Sequence, residues 1–178
     1  METTTNTSGY MWKKAATDGL ILSSVTIAVM VLNIVLNNSV TGVIFWIVKL
    51  VGSIWLLNYL MKQFGIKTGV QSTFGYGAVT CMFSALVCAA FTFLQLTFIN
   101  PESITQIFDS AMQMFGSSLT SEQQDIFLKM EDNYAQYAFI STFIWDTLFG
   151  VVVSAIMAGS TSKKKDVFAT PIKDDDDE

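Results

Sequence analysis

Two charged side chains, Lys49 and Asp146, stand well inside long apolar runs of this sequence. A carboxylate or ammonium near the middle of a hydrocarbon layer costs at least about 2.5 kcal/mol on insertion scales, so it must pair, meet water or reach an interface. If the runs cross a membrane, Lys49 lies about 10 Å below an entry point near Gly42, and Asp146 about 12 Å below one near Ala138. Opposite charges at one level predict an intramembrane ion pair or a water-bridged contact that fixes helix register. Proton or ion movement is the functional alternative, and snorkelling of Lys49 to the nearer surface is the third reading. Gly52 and Ser53 beside Lys49, and Gly150 beside Asp146, leave room for a neighbouring helix.

Little other reactive chemistry is available. The chain has no His, and all ten of its basic residues are Lys, which removes the commonest general base, the commonest metal ligand and the bidentate guanidinium clamp. Cys81 and Cys88 share one apolar run and lie about 10 Å apart along a helix axis, too far to bridge, so both read as buried packers. Asp18 is one turn from Lys14 and reads as an edge charge at an interface. No catalytic, metal or cofactor signature emerges, and the expectation is a protein that is not an enzyme and carries no cofactor. A formal net charge of -5 and the lack of a basic stripe argue against nucleic acid as a partner.

Small residues form a second pattern. Gly77, Cys81, Ala85 and Ala89 recur at spacing four in one apolar run, and Gly150 and Ser154 do so in another. Such stripes let helices approach closely where van der Waals contact replaces the hydrophobic effect. They predict packing inside a bundle, with a homodimer seam as the alternative.

The elements that must position these residues are membrane spans. A hydrophobic fraction of 51% with only 14% charged residues departs from soluble domains, where about a quarter of residues are charged. The apolar residues gather into runs near 15–36, 42–61, 74–99 and 138–159, each long enough to cross a bilayer. These runs predict an all-α, four-helix membrane domain over 15–162. It follows a polar segment at 1–14 and precedes a Lys-rich, then acidic tail at 163–178. The first run follows Lys13 and Lys14, lacks an Ala-x-Ala site and reads as an uncleaved signal anchor.

Between the third and fourth spans, residues 101–137 predict an amphipathic helical hairpin. Ile104, Ile107, Phe108, Ala111 and Phe115 fall at helical spacing, with Gly116 as the stop. Thr120 with Gln123, or Ser121 with Gln124, offers a capping box for a second helix. No breaker follows before Tyr137, so this helix is expected to run directly into the fourth span. The hairpin reads as a structural cap, with a partner-docking surface as the alternative. Lysines 13, 14, 62, 67 and 163–165 fall on one side of a four-span topology, whereas the hairpin side holds Lys129 against six acidic residues. That bias places both termini in the cytoplasm.

The Lys-flanked first span with Gly19 is one element of a wider resemblance. With it stand the Phe74-Gly75-Tyr76-Gly77 start of the third span, the Asn100-Pro101-Glu102 exit, the acidic helical loop and the lysine-rich end. Together they resemble the domain of unknown function 4199 family over nearly the whole chain. That resemblance implies an uncharacterised bacterial membrane protein of the inner membrane and no defined activity. Two functions remain in view. One is a non-enzymatic subunit or scaffold of a membrane complex, whose partners are the bilayer and a homo-oligomer or another membrane protein. The other is a small oligomeric transporter or channel using the Lys49/Asp146 pair. Helices without paired Gly or Pro breaks weigh against the second.

Overall fold

Long helices form where apolar sequence runs without proline, and both prolines, Pro101 and Pro171, fall outside the apolar runs. The computed structural model describes residues 3–36, 39–68 and 73–162. It contains α1 (Thr3–Leu36), α2 (Ser39–Thr68), α3 (Phe74–Leu94), α4 (Glu102–Phe115), α5 (Ser121–Asp132) and α6 (Tyr134–Ser162). Four helical stretches are long and apolar enough to cross a membrane: Gly9–Leu36, Gly42–Thr68, Phe74–Ile99 and Tyr134–Gly159. The two-residue gap after Leu36 and the charged tail from residue 163 onward lie outside the described residues.

The helices run up, down, up, down, with α3 at the centre. Its small-residue face lies against α6, another face lies against α1, and α2 packs mainly on α1. Glycine makes both close approaches possible. A Cβ on Gly19 of α1 would stand 2.7 Å from the Phe83 Cβ and 2.9 Å from the Thr80 carbonyl oxygen, and one on Gly77 of α3 would stand 2.8 Å from the Ser154 hydroxyl. Hydroxyls inside these apolar helices bond back to their own backbone, as Thr80 does to the Tyr76 carbonyl (2.8 Å) and Ser23 to that of Leu20 (2.8 Å).

Several boundaries differ from the sequence reading. The second helix does not stop at Met61 but runs on to Thr68, because Met61 and Phe64 in its last turns are buried against the bundle. The third run does span Phe74 to Ile99, yet its last five residues, Gln95–Ile99, form a π-helical turn closed by the Asn100 N–H donating to the Gln95 carbonyl (2.8 Å). Gly116 does not stop α4 through a left-handed conformation. It is right-handed (φ -58°, ψ -32°) and opens a 3-10 turn, Gly116–Ser118. The capping box is that of Thr120 and Gln123.

The expected continuity from the second loop helix into the fourth span fails at Asn133 (φ -107°, ψ 7°). The Asn133 side-chain amide donates to the Lys129 carbonyl (2.9 Å), while its own carbonyl accepts from the Gln136 and Tyr137 amides. Asparagine both caps one helix and starts the next, a competition with the helix backbone that no Gly or Pro announces. Phe108 of α4 then locks the three segments together through edge-on contacts with Phe127 (4.8 Å) and Tyr134 (5.5 Å).

Candidate functional site

Lys49 projects from the first half of α2 and Asp146 from the first half of α6. The antiparallel course of α2 and α6 against α3 brings both to one level, where they border the same space. They do not form a direct ion pair; among the described residues that distinction belongs to Lys14 and Asp18.

Two cavities meet at this level, and both are lined by Lys49 and Asp146. One, of about 410 Å³, lies toward the end of the bundle that bears α4 and α5 and is the more polar of the two, with Asn33, Thr92, Gln95, Ser141 and Thr142 beside Met30, Ile34 and Trp145 in its wall. Gln95 is the first residue of the π-helical turn, and such turns often occur at functional sites. The other cavity, of about 360 Å³, extends toward the opposite end among all four long helices. Its wall is mostly apolar, including Leu22, Leu50, Leu57, Phe149 and Val153, with Thr26, Ser53, Ser84 and Cys88 as polar points. Trp46 and Phe149 line it while 63% and 50% exposed, which marks a side opening where α2 and α6 barely touch. The Ser53 hydroxyl oxygen is buried and has no hydrogen-bond partner in the protein.

The small-residue stripe lies between α3 and α6. Gly150 sits directly on Cys81, Gly77 faces Ser154, and the Cys81 thiol and Ser154 hydroxyl are 3.9 Å apart. Ala85 and Ala89 are buried in the same helix, and Ala85 forms part of the apolar cavity wall. Both cysteines are free and buried; Cys81 packs against Gly150 and also lines the cavity, and Cys88 lines it too. Among the described residues, no cluster of His, Cys, Asp or Glu is arranged to hold a metal ion.

One charged cluster escaped the sequence reading. Asp18 is no edge charge: it is 1% exposed, paired with Lys14 at 2.6 Å, and accepts a hydrogen bond from the Tyr76 hydroxyl. Tyr76 in turn stacks on Phe64 with ring centroids 3.9 Å apart. Gly19, one residue on, explains the burial, because the close approach of α1 to α3 that it permits covers Asp18 as well. The i,i+4 spacing of Lys14 and Asp18 was the available signal. The partner from α3, 58 residues away, had none.

The family described as a protein of unknown function, DUF4199, matches residues 17–162. The chain belongs to that family. The match begins just before Asp18 and ends with α6, so Asp18, Tyr76 and the two cavities fall within the shared family region, while Lys14 precedes it. No curated protein and no solved structure matches the chain.

Proposed function

We propose that this DUF4199 member crosses the cytoplasmic membrane four times and takes up a small solute into the paired cavities, as a non-enzymatic solute-binding or transport protein. The observation that carries this reading is the meeting of a polar and an apolar cavity at Lys49 and Asp146. Charges retained at such depth are costly unless water or a ligand serves them, and intramembrane ionisable residues commonly mark such paths. Lysine bias supports an orientation with the start of α1 and the end of α6 in the cytoplasm and with α4, α5 and the polar cavity on the opposite side. The π-helical turn at Gln95 supplies an interruption beside the cavity, although the helices lack the broken-helix pairs of many transporters.

The test places single cysteines in a chain whose native cysteines are replaced by alanine. Ser53→Cys in the cavity should react with a hydrophilic thiol reagent in the bilayer, whereas Val51→Cys on the exposed face of α2 should not. Equal protection of both positions would overturn the reading. A second reading, a subunit or scaffold, draws on the apolar residues Ile107, Met114, Phe115, Ile126 and Met130, which α4 and α5 leave exposed. It requires a stoichiometric partner protein to co-purify with the chain and to be lost when Met114 and Phe115 become Ser.

A further inference from the structure

The level at which the cavities meet has no net charge but two separated signs. Lys49 and Asp146 border the same space without a direct ion pair, and the unpartnered Ser53 hydroxyl lies one helical turn from Lys49. We infer that this junction binds a small zwitterion carrying an apolar side chain, with its acid group at Lys49 and its ammonium at Asp146. The assignment rests on the proposed uptake of a solute and deepens it by naming the solute class.

Electrostatics selects the charge of the ligand. A lone cation drawn to Asp146 would lie beside the Lys49 ammonium, and a lone anion drawn to Lys49 would lie beside the Asp146 carboxylate. In a low-dielectric wall each arrangement keeps a like-charge repulsion close by. A zwitterion meets both residues with opposite charge and leaves the site neutral, so neither buried charge is left unserved. Shape supplies the second half. The polar cavity contains hydroxyl and amide groups that replace hydration of the charged end, while the adjoining apolar cavity offers Leu22, Leu50, Leu57 and Val153 to a hydrocarbon side chain. At about 360 Å³, that cavity is within the size range of small-molecule pockets. An apolar α-amino acid is the simplest water-soluble molecule of this kind. The same pairing of ammonium and acid occurs on an ethanolamine phospholipid, for which the opening between α2 and α6 is the route. The polar cavity favours the water-soluble source.

The experiment uses the full chain purified in detergent, with binding read by calorimetry and thermal shift. The probes are L-leucine, isoamylamine, which lacks its carboxylate, 4-methylpentanoate, which lacks its ammonium, and dihexanoyl phosphatidylethanolamine. Leucine should bind saturably, and each single-charge analogue should bind at least about tenfold more weakly. Lys49→Met and Asp146→Asn should each abolish leucine binding, while Lys49→Arg retains it. Binding of the phospholipid in place of leucine, with the same sensitivity to both variants, would support the zwitterion chemistry and assign the lipid source. The assignment is overturned if a single-charge analogue matches leucine, if neither variant alters binding, or if no probe binds. Any of these with Ser53→Cys still open to the thiol reagent would overturn the zwitterion class and leave solute uptake standing; no binding by any probe together with a closed Ser53 would remove both. If Lys49→Met does not fold, competition among the probes on the unaltered chain decides.

Discussion

At the scale of single residues, Asp18 carries the clearest energetic consequence. Its carboxylate is buried and served by two groups, the Lys14 ammonium and the Tyr76 hydroxyl. Hydrogen bonds to charged groups contribute roughly 1.5–3 kcal/mol. Tyr76→Phe should therefore lower unfolding stability in micelles by about that amount, with the stacking on Phe64 retained. Breaking a fully buried ion pair costs roughly 3–5 kcal/mol, because it strands a charge. Lys14 keeps 28% of its side chain exposed, so Lys14→Met should cost less than that range and more than an exposed pair, which contributes about 0–1 kcal/mol. Denaturant titration of the two variants checks the order; a neutral Lys14→Met would mean that Asp18 is served by water instead.

At the scale of helices, two contacts decide how the elements meet. Gly150 of α6 lies against Cys81 of α3 so closely that an added Cβ would overlap the Cys81 Cβ. Gly150→Ala should destabilise the bundle by about 1–3 kcal/mol, the usual cost of overpacking. Cys81→Gly should relieve it, whereas Cys81→Ala should not, since alanine keeps the offending carbon. Thermal unfolding of the three combinations distinguishes a backbone clash from loss of the thiol. The second contact is the Thr120 cap. Thr120→Ala removes the capping box and should cost about 0.5–2 kcal/mol of local stability. Amide exchange should then rise across Ser121–Asp132 and stay unchanged beyond Tyr137, because Asn133 separates the helices. Spread of the effect deep into α6 would show that α5 and α6 act as one continuous rod.

For the whole molecule, the antiparallel course of four long helices makes a prediction about sides. Lys67 at the end of α2 and Gln113 near the end of α4 belong to opposite ends of the bundle. Cysteine labels at these positions should react from opposite compartments, with the Lys67 side cytoplasmic under the lysine bias. The same compartment for both would refute a four-span arrangement.

The all-helical class and the number of long apolar helices were legible in the sequence because both follow from run length and hydropathy, properties of neighbours along the chain. The starts at Phe74 and the Thr120 cap were legible for the same reason, being set within one turn. Asn133 was not, since an asparagine that serves as the end of one helix and the start of the next looks like any polar surface residue. The shared level of Lys49 and Asp146 along the bundle follows from rise per residue, and the small-residue stripe marked a close-packing face. What only the tertiary structure decided was partnership. Gly19 drew α1 onto α3 and buried Asp18 against Tyr76. The sparse meeting of α2 with α6 left a cavity between Lys49 and Asp146, with no direct pair, where an ion pair or a water-bridged contact was expected. Distances between helices depend on which small residues face each other across the bundle, and a linear pattern with periods near four does not encode that choice.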